Sequence, residues 1–516
     1  MLDRILTGKR HWRNGLLATD AYKFSMAASN YLAGRGEELE SFHASFRKGK
    51  PLYVPIYIPS LIENELKPVV NDSDIAEDVA FLSRHGFNVD DQLLCNVSTI
   101  GADTVLSNIP KMEYCMAREP MVTMYGNGAA VSWIEPLLIG RLSYMCQVAT
   151  AARYAVVDFN TWGDDFNTWS DFIKRVSVVT CMEQKRITIQ AIEGAGISVG
   201  SSVSMFNPDW IKVDEAGYYN RVMEQGEKIL RTGVKPERVF EVGLRSATCM
   251  EQHIIALAAL KELGFNRTSN VYGAYVLDMI PVGTMGHEGV QRWDSNDELA
   301  FEKHIAAMPK TLMLLDTNDT TRVGLPAAIR MMKKYPERQD GCRPDSGDIG
   351  AQFRAFVSIF RESNIVPRTW TFEDGLVAGD LERFESLRMD LDYPAELTLY
   401  GLGGFFIAET EPTGFTRDKV GFVYKLGYTE RFGPTMKFGN EPNGGKTSIP
   451  DIPVVKSNGA TSIVAQYGEH IDGYRLVRNR YINTCEPGQI TYSPETKRIV
   501  DELSAIRERR ISEATL

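Results

Sequence analysis

Four short stretches of this 516-residue chain carry side chains that could do chemistry together. VGTMGHE (282–288) places His287 after a glycine-containing turn, from which an imidazole can reach into a site. LMLLDTNDT (312–320) runs four apolar residues into Asp316 and Asp319, an arrangement able to hold a ribose hydroxyl or a magnesium ion. GCRPDSGD (341–348) gathers Arg343, Asp345 and Asp348. The guanidinium fork suits a phosphate or carboxylate, and the aspartates suit hydroxyls and a metal. LTLYGLGGFF (397–406) sets Gly403 and Gly404 just after a strand-like run, where bare backbone N–H groups can approach phosphate oxygens.

Each stretch has an ordinary structural alternative, a core histidine or a surface turn. A single ligand bearing phosphates, a ribose and magnesium would use all four, and a phosphoribosyl donor is such a ligand. Two tempting motifs fail. GNEPNGGKTS (439–448) lacks the first glycine of a nucleotide-binding P-loop, since position 440 is Asn, and His287-Glu288 is followed by Gln291 where a zinc-binding HExxH needs histidine.

The elements that must position these groups alternate. From about residue 185, strand-like runs (ITIQAIEGAG, VFEVGLR, MIPVGTM, TLMLLD, LTLYG) alternate with helix-like runs at 249–265, 270–278, 300–308, 325–334, 350–362 and 381–389. Such a rhythm predicts parallel strands with helices outside, and the chemistry of a barrel of this kind sits at the C-terminal strand ends. Residues 41–165 and 415–516 differ, with strand-like YVPIYIP and VGFVYKLGY among glycines and prolines and a helix near 135–154. The expected organisation is an N-terminal α/β domain (1–165), an α/β barrel (166–405) and a C-terminal segment (406–516) completing the flanking domain. The last stretch, SPETKRIVDELSAIRERR, reads as a solvated amphipathic helix.

Composition narrows the class. The chain is 43% hydrophobic and 24% charged, as a large-cored globular protein should be, and its net charge of -10 offers no basic face for nucleic acid or anionic membrane. Any anionic ligand must be held by a local pocket. Seven cysteines without a CxxC pair, no secretion signal and no membrane-length apolar run predict a cytoplasmic protein.

The ordered blocks LLATDAYK (16–23), SFRKG (45–49), EPMVTMYGN, WIEPLL, VGLR, RTSNV, GTMGHE, LLDTNDT, RPDSGD, GLGGFF and MKFGNEP resemble the nicotinate phosphoribosyltransferases and their nicotinamide-using relatives. The resemblance implies an irregular α/β barrel of the type II phosphoribosyltransferase class with a flanking α/β domain built from N- and C-terminal segments. It implies transfer of phosphoribosyl from 5-phosphoribosyl 1-pyrophosphate to a pyridine base, giving a mononucleotide for NAD salvage. It also implies magnesium, ATP that phosphorylates His287 in a ligase-type coupling, and a homodimer with shared active sites.

Residue by residue, the resemblance assigns the catalytic set to His287, Asp316, Arg343 and Asp345, with Asp345 and Asp348 at the metal. Tyr22 would stack on the base and Arg245 would meet its carboxylate. Gly403 and Gly404 would cradle the 5-phosphate, and Arg47, Lys437 and Lys446 would face the donor and ATP phosphates. Arg245 is followed by Ser246 where many members carry a second arginine, and Val242 replaces a usual aromatic, so stacking falls to Tyr22 and Phe265. Amide-using relatives carry aspartate at the position of Ser269; a neutral Ser269 beside Arg245 therefore favours nicotinate. The alternatives are a nicotinamide enzyme, closer in its TRD (416–418) and LLATDAYK wording, and a catalytically silent mononucleotide-binding relative.

Overall fold

A computed structural model describes residues 1–111, 113–159, 215–410, 415–438, 447–459, 461–477 and 491–514. The strand-like run at 187–196 and the glycine-rich segment with Lys446 lie outside the described residues.

Seven short parallel strands form the central sheet: Val239–Glu241 (β1), Arg267–Thr268 (β2), Ile280–Pro281 (β3), Leu312–Leu314 (β4), Gly341–Arg343 (β5), Trp370–Phe372 (β6) and Thr398–Leu402 (β7). Their spatial order is β3-β2-β1-β7-β6-β5-β4, every neighbour parallel. Helices intervene as the alternation predicts, at Met250–Glu262, Val271–Leu277, Asp297–Ala307, Leu325–Lys334, Ile349–Glu362 and Ala378–Asp390. Strand β6 has no counterpart in the sequence-based expectation. Its three residues sit among Arg368, Thr369 and Glu373-Asp374-Gly375, too short a run to show a period, and it is fixed by tertiary burial. Trp370 packs at a tilt 4.6 Å from Phe356, and Phe372 lies 4.3 Å from Phe384 and 5.2 Å from Tyr400.

The sheet curls, and its two edge strands are joined by a side chain. The Thr284 hydroxyl, just past β3, donates to the Leu312 carbonyl at 3.0 Å and accepts from the Leu312 N–H at 3.3 Å. One hydroxyl replaces the missing ladder pair between β3 and β4, which leaves an irregular barrel.

Beside the barrel, an antiparallel sheet interleaves the two ends of the chain. Strand Leu39–Phe46 lies between Val122–Asn127 and Phe422–Thr429, with Val105–Asn108 and Gly433–Pro434 at the edges. This is the flanking α/β layer. A smaller sheet of Pro453–Ser457, Ser462–Gln466, Arg475–Leu476 and Thr491–Tyr492 precedes the last helix, Pro494–Ala514.

Three expectations need correction. YVPIYIP is not a strand beyond Leu52–Tyr53; Pro55 and Pro59 cannot donate to a ladder, and the chain turns into a helix at Ile58–Leu61. MIPVGTM pairs only at Ile280–Pro281, because Gly283 must let another segment in. A Cβ there would stand 2.5 Å from the backbone nitrogen of Tyr22. The terminal helix is not merely solvated: Thr496, Ile499 and Ile511 are buried, and the Arg507 guanidinium donates twice to the Asn318 carbonyl, at 3.1 and 2.7 Å.

Replacing Thr284 by Val keeps the shape but strips both closing hydrogen bonds. The expected cost is roughly 1–3 kcal/mol, read as a lower denaturant midpoint, with Thr284→Ser retaining most of the stability.

Candidate functional site

A cavity of about 1070 Å³ runs from the C-terminal strand ends back along the barrel interior. At the mouth it is lined by Tyr22, Arg245, Ser269, Arg343 and Asp345, with Gly403 and Gly404 on one wall and Arg47 and Lys437 on another. Its far end is lined by His85, Phe87, Arg267 and Lys310. Most residues singled out in the sequence are thus brought together, on one chain.

The strand-end loops are held by a buried carboxylate. Glu241, 1% exposed at the end of β1, accepts hydrogen bonds from the Gly243 N–H, from Thr268 Oγ1 at 2.7 Å and from His253 Nε2 at 3.0 Å. The Asn270 amide donates to His253 Nδ1 at 2.8 Å, so Nε2 carries the proton. One side chain therefore locks the loop that carries Arg245 to the loop that carries Ser269. Across the mouth, a Cβ on Gly403 would come within 3.0 Å of the Val242 carbonyl. Glycine there lets β7 and β1 end side by side.

Tyr22 reaches the mouth from the helix Ala21–Leu32, which packs over Gly283. Arg245 lies 5.8 Å from the Tyr22 ring centroid, and ring and guanidinium together line the base slot at the mouth. Behind the slot stand carboxylates that the sequence reading did not single out. Glu135 accepts from the Tyr22 hydroxyl at 3.0 Å and from Lys23 at 2.5 Å, and lies 3.7 Å from Arg245. Burial alone would raise its pKa, but Lys23 and Arg245 outweigh that and hold it at about 2. Asp20 receives the Ser269 hydroxyl at 2.5 Å and lies 3.7 Å from Arg245 Nε. Burial pushes its pKa up against the pull of Arg245 and Ser269. Ser269 is therefore not in neutral surroundings: a carboxylate stands beside it.

His287 opens the helix His287–Gln291 and is buried behind Asp345, outside the cavity lining. Its Nδ1 is 3.2 Å from Thr317 Oγ1, and its Nε2 is 3.5 Å from Asp345 and 3.6 Å from Asp316. Burial and Lys437 lower its pKa against the two carboxylates. Asp345 is held well below the usual carboxylate range; burial opposes this, but His287, Lys437 and Arg343 prevail.

Asp316 lies beneath the mouth, accepting from the Asp345 N–H at 3.1 Å and Ser346 Oγ at 2.6 Å, and so shapes the turn that presents Asp345. Asp348 turns away to cap the helix Ile349–Glu362 through the Ala351 N–H at 2.9 Å. It does not join Asp345, and among the described residues no three His, Cys, Asp or Glu side chains gather to hold a metal. Asp345 is left as a single carboxylate, enough for magnesium that keeps its waters and arrives on substrate phosphates. Phe265 does not reach the slot either. It precedes β2, at the opposite end of the strand, and packs 5.6 Å from Phe406 with 1% exposure.

The mouth is strongly cationic. Lys425, on strand Phe422–Thr429, joins Arg47, Lys437 and Arg343 around it. Burial and Lys437 push the Lys425 pKa well down. Glu373, just after β6, lies 3.5 Å from Arg343. Burial raises it to about 7 despite Arg343.

Comparison with known proteins fits this geometry. The chain is 27% identical over 252 residues to nicotinate phosphoribosyltransferase of Bacillus subtilis (strain 168), covering 47% of this chain and 49% of that protein. It is 39% identical over 84 residues to nicotinate phosphoribosyltransferase pncB2 of Mycobacterium tuberculosis, covering 16% and 18%. The sequence match thus spans about half the length of the Bacillus relative. The crystal structure of nicotinate phosphoribosyltransferase from Vibrio cholerae superposes with a TM-score of 0.55 at 16% identity, over 86% of this chain and 92% of that one. The enzyme from Porphyromonas gingivalis gives 0.53 at 14%, over 95% and 99%. The chain has the fold of nicotinate phosphoribosyltransferases. The resemblance carried by its motifs is met in both sequence and structure, although no family model matches.

The pKa of Glu373 is raised from the usual 4.5 to about 7, so the native state holds a proton that the unfolded chain has released. The resulting stability is full below pH 4.5 and is lost as pH rises through 7. Thermal unfolding of Glu373→Gln should gain on the wild type across that window and run parallel to it above about pH 8.

Proposed function

We propose that the protein is a nicotinate phosphoribosyltransferase that joins nicotinate to 5-phosphoribosyl 1-pyrophosphate. The observation that carries the proposal is the barrel mouth where the Tyr22–Arg245 slot faces the cations Arg47, Arg343 and Lys437 and the Lys425 amine across the Gly403–Gly404 wall. A flat base bearing a carboxylate fits the slot, and a pyrophosphate fits the cations.

In this reading the pyridine nitrogen forms the new bond to C1 of the ribose while the C1–O bond breaks and pyrophosphate leaves with the electron pair. Charge grows on the leaving oxygens, where Arg47, Arg343 and Lys437 already stand, so catalysis is positioning plus electrostatic stabilisation. Magnesium would neutralise part of that charge, with Asp345 as its protein carboxylate. His287, its pKa lowered by burial and Lys437, would accept the phosphoryl group of ATP at Nε2 while ADP leaves, with the ring proton on Nδ1 toward Thr317 Oγ1. Phosphoryl entry requires the partly buried Asp345 side chain to swing aside, because Asp345 lines the cavity in front of His287. Arg47 and Lys437 line the cavity of their own chain, so a homodimer, which the resemblance implies, would add to this set.

One observation favours the amide as a second base. The Ser269 hydroxyl is spent on Asp20, so the slot presents a carboxylate oxygen that an amide NH2 can use.

Mononucleotide formation is the test, with magnesium and the donor, comparing nicotinate and nicotinamide, each with and without ATP. Nicotinate turnover raised by ATP supports the reading; amide turnover alone replaces it, and binding without turnover makes the protein a silent relative. His287→Ala should abolish the ATP stimulation while leaving slower, ATP-independent transfer. Ser269→Asp should lower nicotinate kcat/KM by about tenfold or more, since an unmatched buried charge next to the base carboxylate costs at least ~1.4 kcal/mol.

A further inference from the structure

We propose that Asp20 is the residue that reads the charge of the base, taking up one proton when a pyridine carboxylate binds and staying ionised when the base is the amide. The inference rests on the function proposed above and goes beyond it to the basis of specificity.

The slot contains one guanidinium and two carboxylates before any ligand arrives. Arg245 stands 3.7 Å from Asp20 and 3.7 Å from Glu135. A base carboxylate seated on Arg245 makes a third anion around that guanidinium; Lys23 offsets Glu135, which leaves the charge beside Asp20 to be relieved by a proton. The ligand is a stronger acid than a buried side chain, and Glu135 is pinned by Lys23 and by the Tyr22 hydroxyl. Asp20 has the least support. Its Oδ1 takes the Ser269 hydroxyl, but its Oδ2 is buried without a hydrogen bond, and the side chain is 1% exposed.

Its position in the fold points the same way. Asp20 is the N-cap residue of the helix Ala21–Leu32, where an aspartate ordinarily accepts from the first backbone N–H groups; here the carboxylate makes no such bond and turns to the cavity instead. The groups facing it are Tyr22 on its own helix, Glu135, Glu241 at the end of β1, Arg245 in the loop beyond it, and Ser269. None of the others is placed to change charge in its stead: Tyr22 holds its proton, its pKa raised well above 10 by burial, and Arg245 is held protonated by its neighbours. Protonated on Oδ2 by solvent, Asp20 would donate to the base carboxylate; ionised, it would accept from an amide NH2. One side chain thus serves both bases in two protonation states.

The test is calorimetric titration of the full chain with nicotinate and with nicotinamide, with pyrophosphate and magnesium present. It is run from pH 6.5 to 9 in pairs of buffers of different ionisation enthalpy. For nicotinate, uptake should approach one proton, and the affinity should fall about tenfold per pH unit above the pKa of Asp20; for nicotinamide both should be flat. Asp20→Asn keeps the Ser269 hydrogen bond and should remove the nicotinate slope, whereas Glu373→Gln should leave it in place. Nicotinate binding without proton uptake, or uptake that survives Asp20→Asn, overturns this inference alone. Failure of both bases to bind overturns it together with the proposed function.

Discussion

A lysine ammonium in the interior organises the site. Lys23, 3% exposed, lies 2.5 Å from Glu135 and 2.8 Å from Glu288. Each of its three participants adjoins a functional group. Tyr22 precedes Lys23, His287 precedes Glu288, and Glu135 reaches Tyr22 and Arg245 directly. The chain of charge continues through Arg292, 3.8 Å from Glu288, to Glu40, 2.8 Å from Arg292, and so into the interleaved sheet. Removing one partner of such a set would leave an uncompensated charge among buried side chains, so the set holds together as a unit. Base slot, histidine turn and flanking sheet are registered to one another through it.

Electrostatics are divided by depth. The chain as a whole is acidic, yet the mouth gathers Arg47, Arg343, Lys425 and Lys437, with Asp345 and Glu373 set against Arg343. Behind the slot the balance reverses, with Asp20, Glu135, Glu241 and Glu288 all buried. The cations are at the face where an anionic donor would enter, and the carboxylates are where they can orient cations and hydroxyls. Neither set would form without the other, since cations crowded in this way are held only by opposing charge or ligand.

Much of this was legible in the sequence. The βα rhythm showed the barrel because outer helices such as Leu325–Lys334 and Ile349–Glu362 carry a strong apolar period and fall where that period puts them. Glycine and proline punctuation marked the loops that carry Arg245, Asp345 and Gly403. Glu373 was missed because β6 was missed: a three-residue strand has no period, so the strand end after it could not be inspected. Lys23 and Glu135 lay inside the recognisable blocks LLATDAYK and WIEPLL, but nothing in linear spacing says that residues 112 positions apart meet. Asp348 and Phe265 misled for a related reason. Sequence neighbourhood put them beside Asp345 and Ser269, whereas a helix cap and the wrong end of a strand took their side chains elsewhere.

The interleaved sheet has a consequence for the making of the molecule. Strand Leu39–Phe46 takes its second neighbour, Phe422–Thr429, from about 380 residues further on. At ribosomal speeds of roughly 5–20 residues per second, that edge stays open for on the order of 20–80 s after its own synthesis. A bare β-edge with apolar Phe42, Ala44 and Phe46 is a template for pairing with other chains. Yield in a cell should therefore depend on how that edge is shielded during translation, and slow codons downstream would lengthen the exposure.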